Sequence, residues 1–185
     1  MVRVVKIFVL LLFIHNWNIS KAQLVKLSND SNKKLADSTT VYYTSKMPIK
    51  ILTLSDSIVN FAYQFLGDRY RRGGTSSKGF DCSGYTMTVF HNFGIRIPHT
   101  SSGQGLIGVD VSKNNIKKGD LILFKGHSRR SKRIGHVGIV ISEKGEPVKF
   151  IHSSISDGVR IDRLEFDYYK NRYVKTIRVS ELLRN

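Results

Sequence analysis

The chain has 185 residues, 41% of them apolar, and a formal net charge of +16 at pH 7. This length fits one domain with an apolar core of its own. The strongly basic balance predicts attraction to polyanions: nucleic acid, an anionic membrane surface or an anionic envelope polymer. Cys82 is the only cysteine, which excludes an internal disulfide.

The first 22 residues have the order of a secretory signal peptide. Arg3 and Lys6 precede an apolar run at Ile7 to Ile14, and the segment ends in Ser20-Lys21-Ala22. The apolar run is shorter than the about 20 residues that a transmembrane helix needs. A buried N-terminal strand or helix is the alternative, but charged flanks without an amphipathic period favour export. We therefore expect cleavage after Ala22 and no stable membrane insertion.

Export would limit the polyanions that this basic protein can meet. Loss of the three basic residues of the signal would leave +13 of the +16, so the mature protein would still be basic. In the periplasm or cell wall, an anionic envelope polymer is a more accessible partner than nucleic acid, for which the chain has no recognised binding motif. The alternative is that the charge only aids solubility. We expect a monomer.

After the signal, the sequence divides into a polar leader and one domain. Residues 23–50 are rich in Ser, Asn, Thr and Lys without sustained apolar periodicity, which indicates a flexible leader. Residues 51–185 form the predicted domain. Apolar residues at helical spacing predict a first helix that Ser55 or Asp56 caps and that stops at Gly67. A glycine-rich loop then leads to a second helix, predicted over Cys82 to Phe93.

The second half of the chain is rich in short β-branched runs. The predicted strands are Leu121 to Phe124, His136 to Ile141, Val148 to His152, Val159 to Ile161 and Tyr173 to Val179. Helices followed by strands with short turns predict an α+β domain with a mostly antiparallel sheet of five or six strands.

Cys82 lies where a polar loop enters the second predicted helix. Unpaired backbone N–H groups at a helix N-terminus stabilise a thiolate and can also bind a developing oxyanion. An imidazolium neighbour adds to this effect, so we expect the pKa of Cys82 to be low enough for a nucleophile at neutral pH. The alternative is a buried cysteine that acts as a small apolar residue.

A cysteine nucleophile needs an imidazole as base and a third polar group that orients this ring. His136 opens one predicted strand and His152 ends the next, with one short turn between them. Paired strands would bring both side chains to one face, with His136 towards the thiol and His152 behind it. The alternative for each is a polar residue at the rim of the sheet. No set of residues has metal-ligand spacing, so we expect neither metal nor cofactor.

Four segments resemble motifs of the NlpC-type cell-wall peptidases, a family with a papain-like fold. They are Gly67 to Gly74 before the nucleophile, Phe80 to Gly84 around it, Lys118 to Phe124 as a first sheet strand, and Ile134 to Val140 as the histidine strand. All four occur in the family's order. The resemblance spans about residues 55 to 180.

The resemblance implies N-terminal helices packed on the sheet and hydrolysis of peptidoglycan stem peptides through an acyl-enzyme, often between D-glutamate and the diamino acid. It makes Cys82 the nucleophile, His136 the base and His152 the third member. The substrate-binding residues it implies are Tyr70, beside the nucleophile, and Asp81 and Ser83.

Two features depart from the family pattern. The family usually has arginine after the proline where this chain has His99, and the loop Gly126 to Arg133 is longer and more basic than expected. This loop either binds anionic wall polymer or is simply solvated. Two other functions stay open: an amidase or acyltransferase with the same three residues, and an inactive module that binds the wall through its basic surface.

Overall fold

The computed structural model describes residues 52–126 and 133–183. Its first helix, α1 (Leu54–Tyr63), begins with a capping box: the Thr53 hydroxyl accepts from the Asp56 N–H, and the Asp56 carboxylate accepts from the Thr53 N–H. This arrangement satisfies donors that the first helical turn leaves unpaired. The prediction of Ser55 or Asp56 as the cap was wrong, because Asp56 occupies the third helical position.

The remaining elements follow in chain order. They are β1 (Thr75–Ser76), β2 (Gly79–Phe80), α2 (Cys82–His91), α3 (Ser101–Gln104), β3 (Val109–Val111), β4 (Leu121–Lys125), β5 (Ile134–Val140), β6 (Lys149–Ser154), β7 (Gly158–Arg163), α4 (Asp167–Lys170) and β8 (Tyr173–Arg178). Short 3-10 turns cover Lys113–Asn115 and Ser180–Leu183.

Six of the described strands form one antiparallel sheet in the order β3-β8-β4-β5-β6-β7, and β1 pairs with β2 in a separate small hairpin before α2. This confirms the predicted α+β class and each of the five predicted strands. The sixth strand, β3, was not predicted as a strand. It has only three residues at the sheet edge, too few to show an alternating pattern.

Two apolar clusters fix the helices and the sheet. The first joins α1 and α2 to the central strands and includes Ile58, Tyr85, Val89, Leu123, Val137 and Ile151. The second lies around α4 and contains Ile116, Ile122, Phe124, Val140, Phe150 and Tyr169. Side chains alternate between the two faces of a strand. The His136 and His152 rings lie on the face of the sheet that carries the second cluster, where His136 contacts Phe124 and His152 contacts Phe150.

The predicted signal peptide, the polar leader and residues 127–132 of the basic loop lie outside the described residues. Within residues 52–126 and 133–183, no helix has the length and apolarity to cross a membrane.

Candidate active site

The start of α2 is held by the side chain of Asp81. One carboxylate oxygen, Oδ1, accepts from the Gly84 N–H at 2.6 Å, which makes Asp81 the N-cap and Cys82 the first helical residue. The other, Oδ2, accepts from the Gly73 N–H at 2.9 Å. Asp81 therefore joins the helix to the preceding glycine-rich loop.

Two glycines let this loop lie directly on the helix. A Cβ on Gly84 would clash with the Gly74 carbonyl oxygen, and one on Gly74 would clash with the Gly79 carbonyl oxygen. Tyr70 belongs to the same loop and forms a β-bridge with Phe80, two residues before the cysteine. Burial, followed by the charges of Cys82 and Asp81, raises the pKa of Tyr70. The bridge places Tyr70 next to the segment that leads into the candidate nucleophile.

The Cys82 thiol lies against the backbone of β5. Backbone hydrogen bonds from Val137, Ser83 and Cys82 itself lower the pKa of the thiol. These three donors favour the thiolate. Burial and, to a lesser degree, the charge of Asp81 oppose them and raise the pKa of the thiol to about 11. The predicted low pKa was wrong for the resting state, because desolvation outweighs the helix terminus.

The two histidines are joined by a hydrogen bond. His136 Nε2 and His152 Nδ1 are 2.9 Å apart, and the rings meet edge to face. His136 is partly exposed, whereas His152 is buried with 1% of its surface accessible. Strand β6 pairs directly with β5, which explains the contact that the sequence predicted.

The histidine pair continues into a buried carboxylate. His152 Nε2 is 2.9 Å from Asp162 Oδ2, to which the Tyr169 hydroxyl also donates at 2.8 Å. Arg160 donates to the second oxygen, Oδ1, at 2.8 Å. None of these three residues was predicted from the sequence. One available indication was the alternation Arg160-x-Asp162, which places two opposite charges on one face of a predicted strand.

Packing around His136 keeps this histidine neutral, although part of its surface is accessible. Desolvation, followed by the neighbouring His152, lowers the pKa of His136 to about 3, and the charge of Asp162 partly opposes this. Burial also disfavours ionisation of Asp162, but the hydrogen bonds from His152 and Tyr169 outweigh it and lower the pKa of the carboxyl group. Near neutral pH, the site therefore holds a neutral thiol, a neutral His136 and an ionised Asp162.

The two remaining predicted residues, Asp81 and Ser83, serve the local structure. The Ser83 hydroxyl is mostly buried and donates to Asp81 Oδ1 at 3.1 Å. His99 takes the place of the family arginine, and its Nε2 is 3.4 Å from the same carboxylate oxygen. The predicted contact of Asp81 and Ser83 with substrate stays a prediction. His91 is exposed and is the last residue of α2.

A metal site is not formed by the part of the chain that the structure describes, where no group of three or more His, Cys, Asp or Glu residues could hold an ion.

A cysteine at a helix start, set against a sheet strand that carries one of two paired histidines, is the arrangement of a papain-like domain. Residues 67–178 match the model of the NlpC/P60 family. The match covers more than half of the chain, and the chain belongs to this family.

Two relatives and one solved structure show the range of the similarity. The chain is 40% identical over 114 residues to the "Murein DD-endopeptidase MepS/Murein LD-carboxypeptidase" of Escherichia coli K12, with 61% of this chain and 56% of that protein covered. It is 37% identical over 119 residues to a "Gamma-D-glutamyl-L-lysine dipeptidyl-peptidase" of Bacillus cereus, with 64% and 35% covered. A crystal structure of a Bacillus cereus NlpC/P60 family protein superposes with a TM-score of 0.61 at 37% identity, over 68% of this chain and 40% of that one.

Proposed function

We propose that this protein is an exported peptidoglycan hydrolase that cleaves stem-peptide bonds with Cys82 as nucleophile, His136 as base and His152 as the residue that orients the base. The observation that carries this proposal is the hydrogen bond of 2.9 Å between His136 and His152, on a strand whose Val137 belongs to the apolar cluster that Cys82 packs against. The relatives named above are peptidases of murein or of a glutamyl-lysine bond, which supports the substrate class.

The neutral resting state determines the order of proton transfers. As the sulfur attacks the scissile carbonyl carbon, His136 takes the thiol proton, because neither charged form is stable alone in the buried site. The N-terminus of α2 supplies backbone donors for the oxyanion. His136 then returns the proton to the leaving amine, which leaves an acyl-enzyme on Cys82. Water, activated by the same imidazole, hydrolyses the thioester and regenerates the thiol.

The bond that we propose is the one between D-glutamate and the diamino acid of the stem. The name of the Bacillus cereus relative favours this bond, whereas the name of the Escherichia coli relative favours a D,D cross-link as the second candidate. Tyr70, which pairs with Phe80 just before the cysteine, is a proposed contact for the substrate, together with Asp81 and Ser83.

The test is digestion of purified peptidoglycan, with the products identified by mass spectrometry. We expect cleavage of the D-glutamyl bond by the wild type and none by Cys82→Ala, with unchanged circular dichroism and melting temperature. His91→Ala, in the same helix but exposed, is the matched control and should be fully active. Full activity of Cys82→Ala would refute the proposal. New termini at D-alanine would select the D,D bond, and release of an amide or transfer product would select the amidase or acyltransferase alternative.

Export rests on the N-terminal sequence. We propose that a signal of residues 1–22 is removed after Ala22 and that the basic mature domain reaches an envelope rich in anionic polymer. N-terminal sequencing of the protein recovered outside the cytoplasm should begin at Gln23, and a chain that still begins at Met1 would contradict the proposal.

A further inference from the structure

The buried carboxylate behind the histidine pair has a geometry that determines where protons lie. Asp162 is 4% exposed, and its two oxygens accept from three different side chains. We propose that Asp162 is a positioning residue, which fixes the tautomer of His152 and, through His152, that of His136. This inference rests on the proposed function, which assigns the base to His136.

The Nε2 nitrogen of His152 faces the Asp162 carboxylate. Burial raises the pKa of Asp162, but hydrogen bonds, among them the one from Tyr169, and the charge of Arg160 outweigh it and lower the pKa, so the group is an ionised carboxylate that can only accept hydrogen bonds. His152 Nε2, 2.9 Å from this carboxylate, must therefore carry a proton. The Tyr169 oxygen, 3.2 Å from the same nitrogen, is also free to accept, because the hydroxyl proton is donated to Asp162 at 2.8 Å.

The position of the proton on His152 determines the tautomer of the base, His136. A His152 ring whose single proton lies on Nε2 has a lone pair on Nδ1, which is 2.9 Å from His136 Nε2. His136 must then donate from Nε2, so its own lone pair is on Nδ1. The nitrogen that is left for the thiol proton is thus unprotonated before reaction. The opposite tautomer of His152 would turn His136 around and block this nitrogen with a proton.

Asp162 also affects the stability of the positive charge that His136 gains during the reaction. When His136 accepts the thiol proton, it becomes a cation in a site where burial opposes cations. The charge of Asp162 acts against that effect on the pKa of His136. Asp162 therefore stabilises the protonated base through the His152 ring and without contact to substrate.

A second buried aspartate provides the matched control. Asp120 is fully buried and receives two hydrogen bonds from Arg178, at 2.7 and 2.9 Å, and one from the Lys117 N–H at 2.9 Å. It has the same partner type and a similar burial, but its hydrogen bonds reach no histidine. Loss of either carboxylate should affect stability, whereas only loss of Asp162 should affect proton positions.

The experiment measures tautomers directly. Two-bond 1H–15N correlation spectra of the 15N-histidine-labelled full chain, assigned by single histidine variants, distinguish Nδ1–H from Nε2–H rings. The wild type should show both His136 and His152 in the Nε2–H form. Asp162→Leu, which can accept no hydrogen bond, should lose this preference at both rings, whereas Asp120→Asn should keep the wild-type pattern.

Kinetics provide the second measurement. We expect Asp162→Leu and Asp162→Asn to lower kcat by about 10-fold or more, with KM within about twofold of wild type, because the residue acts through the base and not on bound substrate. Asp120→Asn should keep wild-type kcat per folded molecule.

Each outcome decides the inference. A wild-type spectrum with His152 in the Nδ1–H form would overturn it without any variant, even if no Asp162 variant folds. Unchanged tautomers and kcat in folded Asp162→Leu would overturn it as well. The spectra need no hydrolysis, so failure of the proposed peptidase reaction would appear separately, as absent digestion by the wild type.

Discussion

The two sides of the candidate site are built in different ways. The thiol side depends mainly on backbone groups: the Gly84 N–H that the Asp81 carboxylate caps, the loop that lies on Gly84, and the backbone hydrogen bonds that lower the pKa of the thiol. The histidine side is held by side chains, in a line that runs from His136 through His152 to Asp162. A side chain of similar size can fill each of these positions, but it does not bind protons in the same way.

The two sides should therefore respond to different kinds of substitution. On the thiol side, added volume is expected to disrupt the structure, because the loop and the helix are already in contact. On the histidine side, a substitution of similar size can leave the fold intact and still remove a proton acceptor or a charge. Four predictions test this distinction.

The largest effect is expected for the base. His136→Ala should lower kcat by about 10⁴-fold or more, as the loss of a triad base does in thiol and serine peptidases. It should also slow the reaction of Cys82 with iodoacetamide near neutral pH, because nothing then accepts the thiol proton. His91→Ala provides the comparison, and equal alkylation rates in the two variants would remove His136 from the site.

The residue behind the base should have a smaller effect. His152→Ala should lower kcat by about 10- to 10⁴-fold with little change in KM, since His152 orients the base and makes no contact with substrate. In His152→Asn, an amide oxygen can still accept from His136, so part of the activity should return. Steady-state kinetics of both variants measure this, and wild-type rates in His152→Ala would transfer the orienting role to another residue.

On the thiol side, Gly84→Ala should act through stability. The added methyl group meets the Gly74 carbonyl oxygen, so the loop must move away from α2, at a cost of about 1–3 kcal/mol in the free energy of unfolding. Gly126→Ala is the control, because a Cβ there would lie at an ordinary contact distance of 3.7 Å. Urea unfolding of both variants compares them, and equal midpoints would show that the loop contact is not tight.

The smallest change is expected on acidification. Because burial lowers the pKa of His136 to about 3, the base stays unprotonated and competent well below neutral pH. The value of kcat/KM at pH 5 should therefore be at least about half of that at pH 7, whereas a histidine with an ordinary pKa of about 6.5 would retain only about 4% of the value at pH 7. Circular dichroism at pH 5 checks the fold. An acid limb near pH 6.5 would show that His136 is solvated in the working protein.

Periodicity and turn chemistry were sufficient to predict most of the fold. Five strands, two main helices and the α+β class follow from apolar spacing, because each element must bury one face. The pairing of His136 with His152 was also predictable, since two strands joined by a short turn almost always pair. The capping box at Thr53 was missed by two residues, although a Thr followed three positions later by an acid is a recognisable pattern.

What the sequence by itself determined is therefore local: a cysteine that begins a helix, and two histidines on neighbouring strands. The tertiary structure alone decided the proton balance of the site. Desolvation raises the pKa of Cys82 and lowers that of His136, and it depends on atoms packed from distant segments of the chain. For the same reason Asp162 and Tyr169 were not recognised in advance: β7 and α4 bring their side chains to His152 only when the sheet and the aromatic cluster have assembled.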